Sequence, residues 1–153
     1  MNVLLVFATN SGTTMTTAQT INDKLVAAGH QVTMKEARDA TPEEFGAPQA
    51  VVIGSPSWDF EGHEGMPHED WLPLMEKLKT MSFENKPFAI FGLGDSSYKH
   101  FCGAVDHLEE LVKTMKGKLV VPSLRIDKFY SDQTGNMDKI NAWADQLVAA
   151  LKG

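Results

Sequence analysis

The feature that most constrains this chain is a series of short segments that are almost continuously apolar instead of alternating with polar residues. A strand with this composition is buried on both faces, as in a parallel sheet that helices cover on each side. Strands of this kind are predicted at Val3–Ala8, Ala50–Gly54, Pro87–Gly92 and Leu119–Ile126. Gln31–Glu36 is more polar, so we expect it at an edge of the same sheet.

Amphipathic helices are predicted between these strands, because apolar residues recur there at helical spacing. The clearest stripes are formed by Met15, Ala18, Ile21, Leu25 and Ala28; by Val105, Leu108, Leu111, Val112 and Met115; and by Met137, Ile140, Trp143, Ala144, Leu147, Val148 and Leu151. Gly29 and Gly117 stand where a helix commonly ends. The alternation predicts an α/β fold in a single domain over residues 1–153. Its doubly wound, five-stranded parallel sheet would have helices on both faces and right-handed crossovers.

The charge of the chain limits its partners. Its 20 acidic and 14 basic side chains give a net charge of −6, which disfavours nucleic acid and anionic lipid and favours a protein with a basic face. No segment approaches the ~20 apolar residues that a membrane span requires, and the apolar N-terminus lacks the basic residues of a signal peptide. The single cysteine, Cys102, precludes an internal disulfide. We therefore expect a cytoplasmic protein, and a monomer.

The first predicted strand leads into a loop rich in hydroxyl groups, residues 9–14, with the sequence TNSGTT. A helix follows, whose free N–H groups and dipole attract anions, and Gly12 lets the backbone fold closely around a ligand. No Lys or Arg precedes Lys24, and the glycine-lysine pattern of triphosphate sites is absent. The loop therefore suits one phosphate monoester bound without metal. The alternative is a Ser/Thr-rich helix cap that binds nothing.

Two further loops follow the third and fourth predicted strands. The one after Gly54 places Trp58 directly behind a buried strand, and the one over Gly92–Gly103 combines glycines with Tyr98. Ligands of such folds lie beyond the carboxyl ends of the strands, so both loops would meet residues 9–14. Two aromatic side chains beside a phosphate site fit a flat heteroaromatic ring with a phosphate tail. Alternatively, Trp58 packs against a neighbouring loop and Tyr98 is an ordinary half-exposed tyrosine.

The sequence resembles the flavodoxins, and the resemblance covers the whole chain. It is closest in Gly92–Asp106, which reads GLGDSSYKHFCGAVD, while residues 9–14 resemble the phosphate loop of the family and Ser57-Trp58 its tryptophan loop. The last strand lacks the insertion of the long-chain subgroup, so the chain resembles the short-chain flavodoxins. The resemblance implies a sheet order of 2-1-3-4-5 and FMN as the cofactor, bound near the first and third strands.

The resemblance also implies which residues contact FMN. The phosphate would be held by Thr9, Asn10, Ser11, Gly12, Thr13 and Thr14, and the ring by Ser55, Pro56, Ser57, Trp58 and Asp59 together with Leu93, Gly94, Asp95, Tyr98, His100, Phe101 and Cys102. Trp58 would lie against the inner face of the isoalloxazine ring and Tyr98 on its outer face. The N–H groups of Asp95 and Cys102 would meet the pyrimidine O2, and the His100 carbonyl would accept from N3–H. Cys102 would thus act through its backbone, without a thiol nucleophile.

Asp59 departs from the family pattern, since many short-chain members have glycine after the loop tryptophan. The resemblance implies that this peptide turns to accept a hydrogen bond from the reduced ring, which is easiest for a residue free to adopt positive φ. The same loop is longer than usual and contains His63 and His68. The pair suggests a metal site, but a loop with Gly and Pro fixes no ligand face, so a solvated loop is favoured and no metal is expected.

These features predict a low-potential one-electron carrier that uses non-covalently bound FMN and moves electrons between redox proteins. Residues 59–70 contain five carboxylates and no Lys or Arg, and negative charge near the ring disfavours its anionic reduced form, which lowers the potential. Alternatively, the charged run is only a solvated face.

Two other functions remain open from the sequence. An NAD(P)H-dependent flavin or quinone reductase on the same fold would need a nicotinamide site, and the sequence shows no second nucleotide motif. A flavin-free regulatory receiver domain would need a phosphorylatable aspartate at the end of the third strand, where Gly54 and Ser55 stand instead.

Overall fold

The computed structural model describes residues 1–9, 12–60, 63–97 and 102–152 of the 153-residue chain, with the backbone alone at 58–60, 63 and 64. Its strands are β1 (Asn2–Phe7), β2 (Gln31–Glu36), β3 (Ala50–Phe60), β4 (His63–Pro67), β5 (Pro87–Gly94), β6 (Lys118–Leu119) and β7 (Leu124–Asp127). Its α-helices are α1 (Thr13–Ala27), α2 (Trp71–Leu78), α3 (Gly103–Thr114) and α4 (Gln133–Lys152). Short 3-10 helices cover Ala37–Asp39, Pro42–Phe45 and Phe129–Asp132.

The strands form one sheet with the order β2-β1-β3-β5-β6, in which β7 also pairs with β5. Every pair along this path is parallel, and so is the pair of β5 and β7. Because β6 and β7 together take the place of the predicted fifth strand, the predicted order 2-1-3-4-5 is confirmed. The sheet has seven strands instead of five, since the fifth is divided and β4 adds an antiparallel neighbour to β3.

The predicted strand Leu119–Ile126 is divided around Pro122. Proline has no N–H to donate to a neighbouring strand, so it interrupts a ladder. Its carbonyl instead accepts a hydrogen bond from the indole N–H of Trp143 at 2.7 Å, which ties the break to α4. Pairing with β5 resumes at Leu124, which lies opposite Phe91.

The sequence predicts a loop from Ser55 to Asp70, and this prediction is wrong for residues 55–60 and 63–67, which lie in strands. β3 continues to Phe60 and pairs antiparallel with β4, so residues 55–60 and 63–67 are the two strands of an extended hairpin. Ser57 lies opposite Pro67 and Trp58 opposite Met66, after which the register shifts in a β-bulge. The pattern of the sequence conceals this hairpin because its glycines, prolines and charges are typical of loops.

The core lies in two layers, one on each face of the sheet, because successive side chains of a strand point to opposite faces. Along β1, Leu5 and Phe7 pack in the layer that contains α1 and α4, whereas Leu4 and Val6 pack in the layer that contains α2 and α3. The apolar stripes predicted over residues 105–115 and 137–151 are buried or partly buried in these layers. Helices on both faces of the sheet are thereby confirmed.

The stripe predicted for the first helix is wrong at Met15, and its last residue, Ala28, lies just after α1 and is half-buried. Met15 is 39% exposed, because α1 turns Thr14 and Thr17 toward the sheet instead. These two threonines lie on the same face as Ala18, Ile21 and the other buried residues of α1. Threonine has the shape of valine and can pack like it, but hydropathy scales rank it as polar. A buried threonine stripe is therefore hard to recognise from hydropathy alone.

The two glycines expected at helix ends have different roles. Gly29 adopts the left-handed conformation expected of a helix terminus, with φ of +95°. At the end of α3 the left-handed residue is Lys116, with φ of +62°. Gly117 is required by packing, since a Cβ there would lie 2.5 Å from the ring of Phe88. In the described part of the chain, no helix is long and apolar enough to span a membrane.

Candidate functional site

The described parts of three segments lie at the edge of the sheet where β1 and β5 end. The segments are the first loop (residues 9–14), the hairpin (residues 55–67) and the third loop (residues 95–102). Phe7 lies opposite Gly54 and Gly54 opposite Phe91, so the last residue of β1 lies beside the middle of β3 and close to the end of β5. The predicted site residues Asn10, Ser11, Tyr98, His100 and Phe101 lie outside the described residues.

The first loop leads into a helix whose N-terminus has no side-chain cap. Gly12 takes the capping position with a φ of +90°, and its N–H donates to Thr9 Oγ1 at 3.0 Å. The first turn of α1 contains no acidic residue. Its free N–H groups and the helix dipole therefore present positive potential that neither a capping side chain nor an acidic residue of the first turn neutralises.

Thr14 carries the most informative atom of this loop. Its side chain is buried, with 1% of the residue exposed, yet Oγ1 has no hydrogen-bond partner among the described residues. The neighbouring Thr16 and Thr17 hydroxyls donate to carbonyls of Gly12 and Thr13. An unpartnered buried hydroxyl costs about 1–3 kcal/mol. A phosphate oxygen at this helix terminus would satisfy it, so the described residues fit a bound phosphate group.

The hairpin is fixed by its own serines. Ser55 Oγ accepts from the N–H of His68 at 2.9 Å and donates to the Pro56 carbonyl at 2.8 Å. Ser57 Oγ accepts from the N–H of Ala104 at 2.9 Å, which ties the hairpin to the first turn of α3. Ser55, Pro56 and Ser57, which the family resemblance assigns to the cofactor, therefore also hold the hairpin in place.

A tryptophan that the sequence analysis did not identify supports the base of the hairpin. Trp71 begins α2, is completely buried, and donates its indole N–H to the Gly54 carbonyl at 2.9 Å. His68 is also buried, and its Nδ1 accepts from the N–H of Asp70 at 3.1 Å. His68 thus has a structural role at the start of α2. Within the described residues, no group of three or more His, Cys, Asp or Glu side chains could hold a metal ion.

The third loop begins with two carboxylate-centred hydrogen-bond clusters. Asp95 accepts from the hydroxyl and the N–H of Ser97, and these bonds hold the pKa of its carboxyl below the usual value. Asp127, at the end of β7, accepts from the hydroxyl of Ser96 at 2.7 Å and from its N–H at 2.8 Å. The same two bonds lower the pKa of Asp127. Both carboxylates are therefore ionised acceptors that hold the loop backbone.

Cys102 closes the third loop as the residue before α3. It is buried and adopts the left-handed conformation with φ of +49°, which is uncommon for a residue with a Cβ. Burial raises the pKa of its thiol to about 12, so the nucleophilic thiolate is not formed near neutral pH. Gly94 fits against it, since a Cβ at Gly94 would lie 2.9 Å from the Cys102 nitrogen. The contact between Gly94 and Cys102 leaves no space for a side chain at residue 94.

Three residues of this region were not identified from the sequence. The third loop is hydrogen-bonded to Asp127 and Lys128 at the end of β7. Asn136 of α4 in turn bonds to the backbone of this turn. One feature of the sequence could have indicated Asn136. Asn136 occurs one position before the apolar stripe of the last helix begins at Met137, where a buried polar side chain needs a partner.

Comparison with known proteins gives a consistent result. A family model described as Flavodoxin matches residues 5–143. The chain is 34% identical over 151 residues to the flavodoxin of Nitratidesulfovibrio vulgaris (strain DSM 19637 / Miyazaki F), covering 98% of this chain and 99% of that protein. It is 38% identical over 126 residues to the probable flavodoxin 2 of Bacillus subtilis (strain 168), covering 82% and 81% of the two chains.

Solved structures agree at the level of the fold. Oxidised flavodoxin 2 from Bacillus cereus superposes with a TM-score of 0.86 at 27% identity, covering 95% of this chain and 97% of that one. A Fusobacterium nucleatum flavodoxin bound to flavin mononucleotide has a TM-score of 0.82 at 17% identity, covering 95% and 96%.

A longer relative contains a similar segment. The flavoprotein alpha-component of sulfite reductase [NADPH] from Salmonella paratyphi A (strain ATCC 9150 / SARB42) is 28% identical over 153 residues. The match covers 98% of this chain and 24% of that protein. Since the family model spans most of the chain and a relative above 30% identity spans nearly all of it, this chain belongs to the flavodoxin family.

Proposed function

We propose that this flavodoxin is a low-potential one-electron carrier that holds FMN non-covalently and moves electrons between redox proteins. Membership of the family supports FMN as the cofactor and electron transfer as the function. The observation that carries the proposal is the buried, unpartnered Thr14 Oγ1 beside the uncapped N-terminus of α1. A helix terminus of this kind binds a phosphate group without a metal or a basic side chain.

The first loop supports FMN in preference to FAD or riboflavin. Thr9 already supports the turn through Gly12, which leaves the N–H groups at the start of α1 and the Thr14 hydroxyl for an anion. Asn10, Ser11 and Thr13 would add further donors, as the family resemblance implies. One such cradle holds one phosphate monoester, whereas FAD would need a second place for its pyrophosphate.

The hairpin and the third loop would hold the ring. Bound FMN supplies an isoalloxazine ring that accepts and releases single electrons. By resemblance, Trp58 and Tyr98 would cover its two faces and exclude water, while the N–H groups of Asp95 and Cys102 would donate to its pyrimidine edge. The left-handed geometry of Cys102 and the close approach of Gly94 support this assignment, because they shape the backbone of the third loop.

Negative charge supports the low potential and the kind of partner. Residues 59–70 carry five carboxylates and no Lys or Arg, and Asp95 and Asp127 stand at the third loop with pKa values held low by Ser97 and Ser96. These charges disfavour added negative charge on the ring. They would also attract redox proteins with a basic docking face, both reductase donors and low-potential acceptors.

The proposal includes a carrier without reductase activity of its own. The sulfite reductase component to which the chain is similar is about four times longer, since the match covers 24% of it. The sequence of residues 1–153 shows no second nucleotide motif of the kind that an NAD(P)H-dependent reductase would need. A single-domain, monomeric carrier in the cytoplasm, as the lone cysteine favours, belongs to the same proposal.

The first test is the identity and redox behaviour of the bound ligand. We expect acid treatment of the purified yellow protein to release FMN, identified by mass spectrometry. The holoprotein should accept one electron at a time in an anaerobic titration, and NADPH alone should leave its absorbance unchanged. Release of FAD, or direct bleaching by NADPH, would contradict the carrier proposal.

Thr14→Ala tests the observation that carries the proposal. Hydrogen bonds to a charged group contribute about 1.5–3 kcal/mol, so the variant should bind FMN about tenfold or more weakly and riboflavin with unchanged affinity. The free energy of unfolding of the apoprotein should stay the same or rise, because a buried hydroxyl without a partner is removed. Thr20→Ala is the matched control, since the Thr20 hydroxyl donates only within α1, to the Thr16 carbonyl. Equal losses for FMN and riboflavin would show that Thr14 does not contact phosphate.

A further inference from the structure

Hydrogen bonds connect the third loop to the end of β7. Ser96 donates its N–H and its hydroxyl to the two carboxylate oxygens of Asp127, at 2.8 and 2.7 Å. The N–H of Lys128 donates to the Gly94 carbonyl at 2.8 Å. These bonds join residues 127 and 128 to both sides of Asp95. The position of the loop therefore depends on the position of residues 127–129.

The backbone carbonyls of residues 127–129 all lie near one buried side chain of α4. Asn136 is 3% exposed, and its Nδ2 lies 3.2 Å from the Asp127 carbonyl, 3.4 Å from that of Lys128 and 3.1 Å from that of Phe129. Lys128 adopts a left-handed φ of +44° within this turn. A bend of this kind in a residue with a Cβ persists only where its surroundings hold it. The amide of Asn136 supplies the donors that do so.

The structure assigns Asn136 as a positioning residue for the ring of FMN, a role that rests on the proposed function. It acts through Asp127 and Lys128, which hold Ser96 and Gly94, and so it fixes the backbone that would donate to the pyrimidine edge. Asn136 carries no charge. A change there alters geometry without adding to or removing from the negative field of the site.

The dissociation constants of FMN and riboflavin distinguish a positioning role of Asn136 from a purely structural one. By the family resemblance, the third loop would contact the ring and the first loop the phosphate, so loss of Asn136 should weaken FMN and riboflavin by the same factor. Loss of Thr14 should weaken FMN alone. A change that merely lowers the stability of a still fully folded apoprotein alters neither dissociation constant.

The test compares Asn136→Leu with Asn141→Leu. Asn141 lies on the same helix, and its Nδ2 donates to the Met137 carbonyl of that helix, so it is a matched control. Dissociation constants of FMN and riboflavin would be measured by fluorescence quenching with apoproteins that circular dichroism shows to be folded. We expect Asn136→Leu to weaken both flavins equally, by fivefold or more, and Asn141→Leu to weaken neither. Unchanged riboflavin affinity in folded Asn136→Leu would overturn the assignment.

Ser96→Ala provides a second route that does not depend on a buried substitution. It removes the hydroxyl bond to Asp127 at an exposed position, and we expect an equal loss for both flavins here as well. If Asn136 acts through Ser96, the double variant should lose less than the product of the two single losses. Independent, multiplicative losses would overturn the assignment. A wild-type protein that binds neither flavin would overturn the proposed function instead.

Discussion

At the scale of single residues, Cys102 combines features that hydropathy does not reveal. The absence of a His–Asp arrangement in the sequence already argues against a nucleophilic thiol, and the raised pKa of the buried thiol agrees with this. The left-handed φ of +49° could not be predicted. It follows from the fit of Gly94 against the Cys102 backbone and from the guanidinium of Arg125, which donates to the Cys102 carbonyl at 3.2 Å. These contacts join residues far apart in the sequence.

The Cys102 thiol should be inert in the folded protein. At pH 8 we expect no reaction with a disulfide reagent under native conditions and complete reaction in denaturant, followed by absorbance. The thiol keeps its proton up to pH about 12 when folded and loses it near its ordinary pKa when unfolded, so the unfolded state binds fewer protons between these values. Stability should therefore fall as pH rises from about 9 to 12. Cys102→Ser should show a smaller fall, and fast native labelling would contradict the buried placement.

Asp59 lies where the two strands of the hairpin lose register. Trp58 faces Met66 and Phe60 faces His63, so two residues of β4 lie opposite the single residue Asp59. One of these two, Gly65, has a φ of +77°. The peptide after Trp58 therefore lies beside a bulge, where backbone can reorient at lower cost than inside a regular ladder. The family resemblance implies that this peptide turns toward the reduced ring.

Asp59→Gly should make the first one-electron potential more positive by tens of millivolts. Positive φ in a residue with a Cβ costs about 1–2 kcal/mol, part of which aspartate relieves by local hydrogen bonding, and 1 kcal/mol corresponds to about 43 mV for one electron. Asp59→Asn removes the charge and keeps the side chain, so it is the control in an anaerobic redox titration. Equal shifts in both variants would attribute the effect to charge alone. No shift in either would place residue 59 away from the ring.

At the scale of secondary structure elements, the hairpin and α3 interlock through two glycines. A Cβ at Gly103 would lie 2.5 Å from the carbonyl oxygen of Gly65 and 2.8 Å from its Cα. Together with the bond from the Ala104 N–H to Ser57, this contact sets the spacing between the two segments expected to hold the ring. Both partners are backbone, so neither can rotate away from an added methyl group.

Gly103→Ala should therefore destabilise the protein by about 1–3 kcal/mol, as overpacking of a tight contact does, and should weaken riboflavin and FMN alike. Chemical denaturation and flavin titration measure the two effects. Gly46→Ala is the control, because its Cβ would meet only the Glu43 carbonyl oxygen, at 3.4 Å. A Gly103→Ala variant as stable as wild type would mean that the hairpin and α3 are free to separate.

The elements differ in how far the sequence predicts them, for physical reasons. β1, β2, β5 and the helices α3 and α4 were predictable, because burial of a whole strand or of one helix face leaves a regular apolar pattern. The hairpin was not, since its pairing depends on the register between β3 and β4 and on contacts with α3. Likewise, the position of the first loop followed from its hydroxyl groups, but the bracing of the third loop by Asn136 is a long-range contact.

At the scale of the whole molecule, we expect the acidic residues to concentrate at the edge of the sheet where the cofactor would bind. We call the edge of the sheet where β1 and β5 end the ligand edge. Asp95 and Asp127 lie there at the third loop, and the chain from Asp59 to Asp70, which starts at the end of β3, carries five carboxylates in its sequence. The net charge of −6 is therefore unevenly distributed along the chain. A field of this kind increases the encounter rate with a basic protein and orients it toward the ligand edge.

Electron transfer from the reduced holoprotein to a small basic haem protein should therefore slow severalfold between dilute and physiological salt. Charges separated by more than ~8 Å are largely screened at physiological ionic strength, and stopped-flow mixing at several salt concentrations measures the effect. Replacing Glu61, Glu64 and Glu69 together by glutamine should reproduce the high-salt rate in dilute buffer. The control replaces Asp23, Glu76 and Glu84, which are exposed on α1, on α2 and before β5, away from the ligand edge. If both triple variants slow the reaction equally, net charge alone governs the encounter, and a rate independent of salt would exclude electrostatic steering.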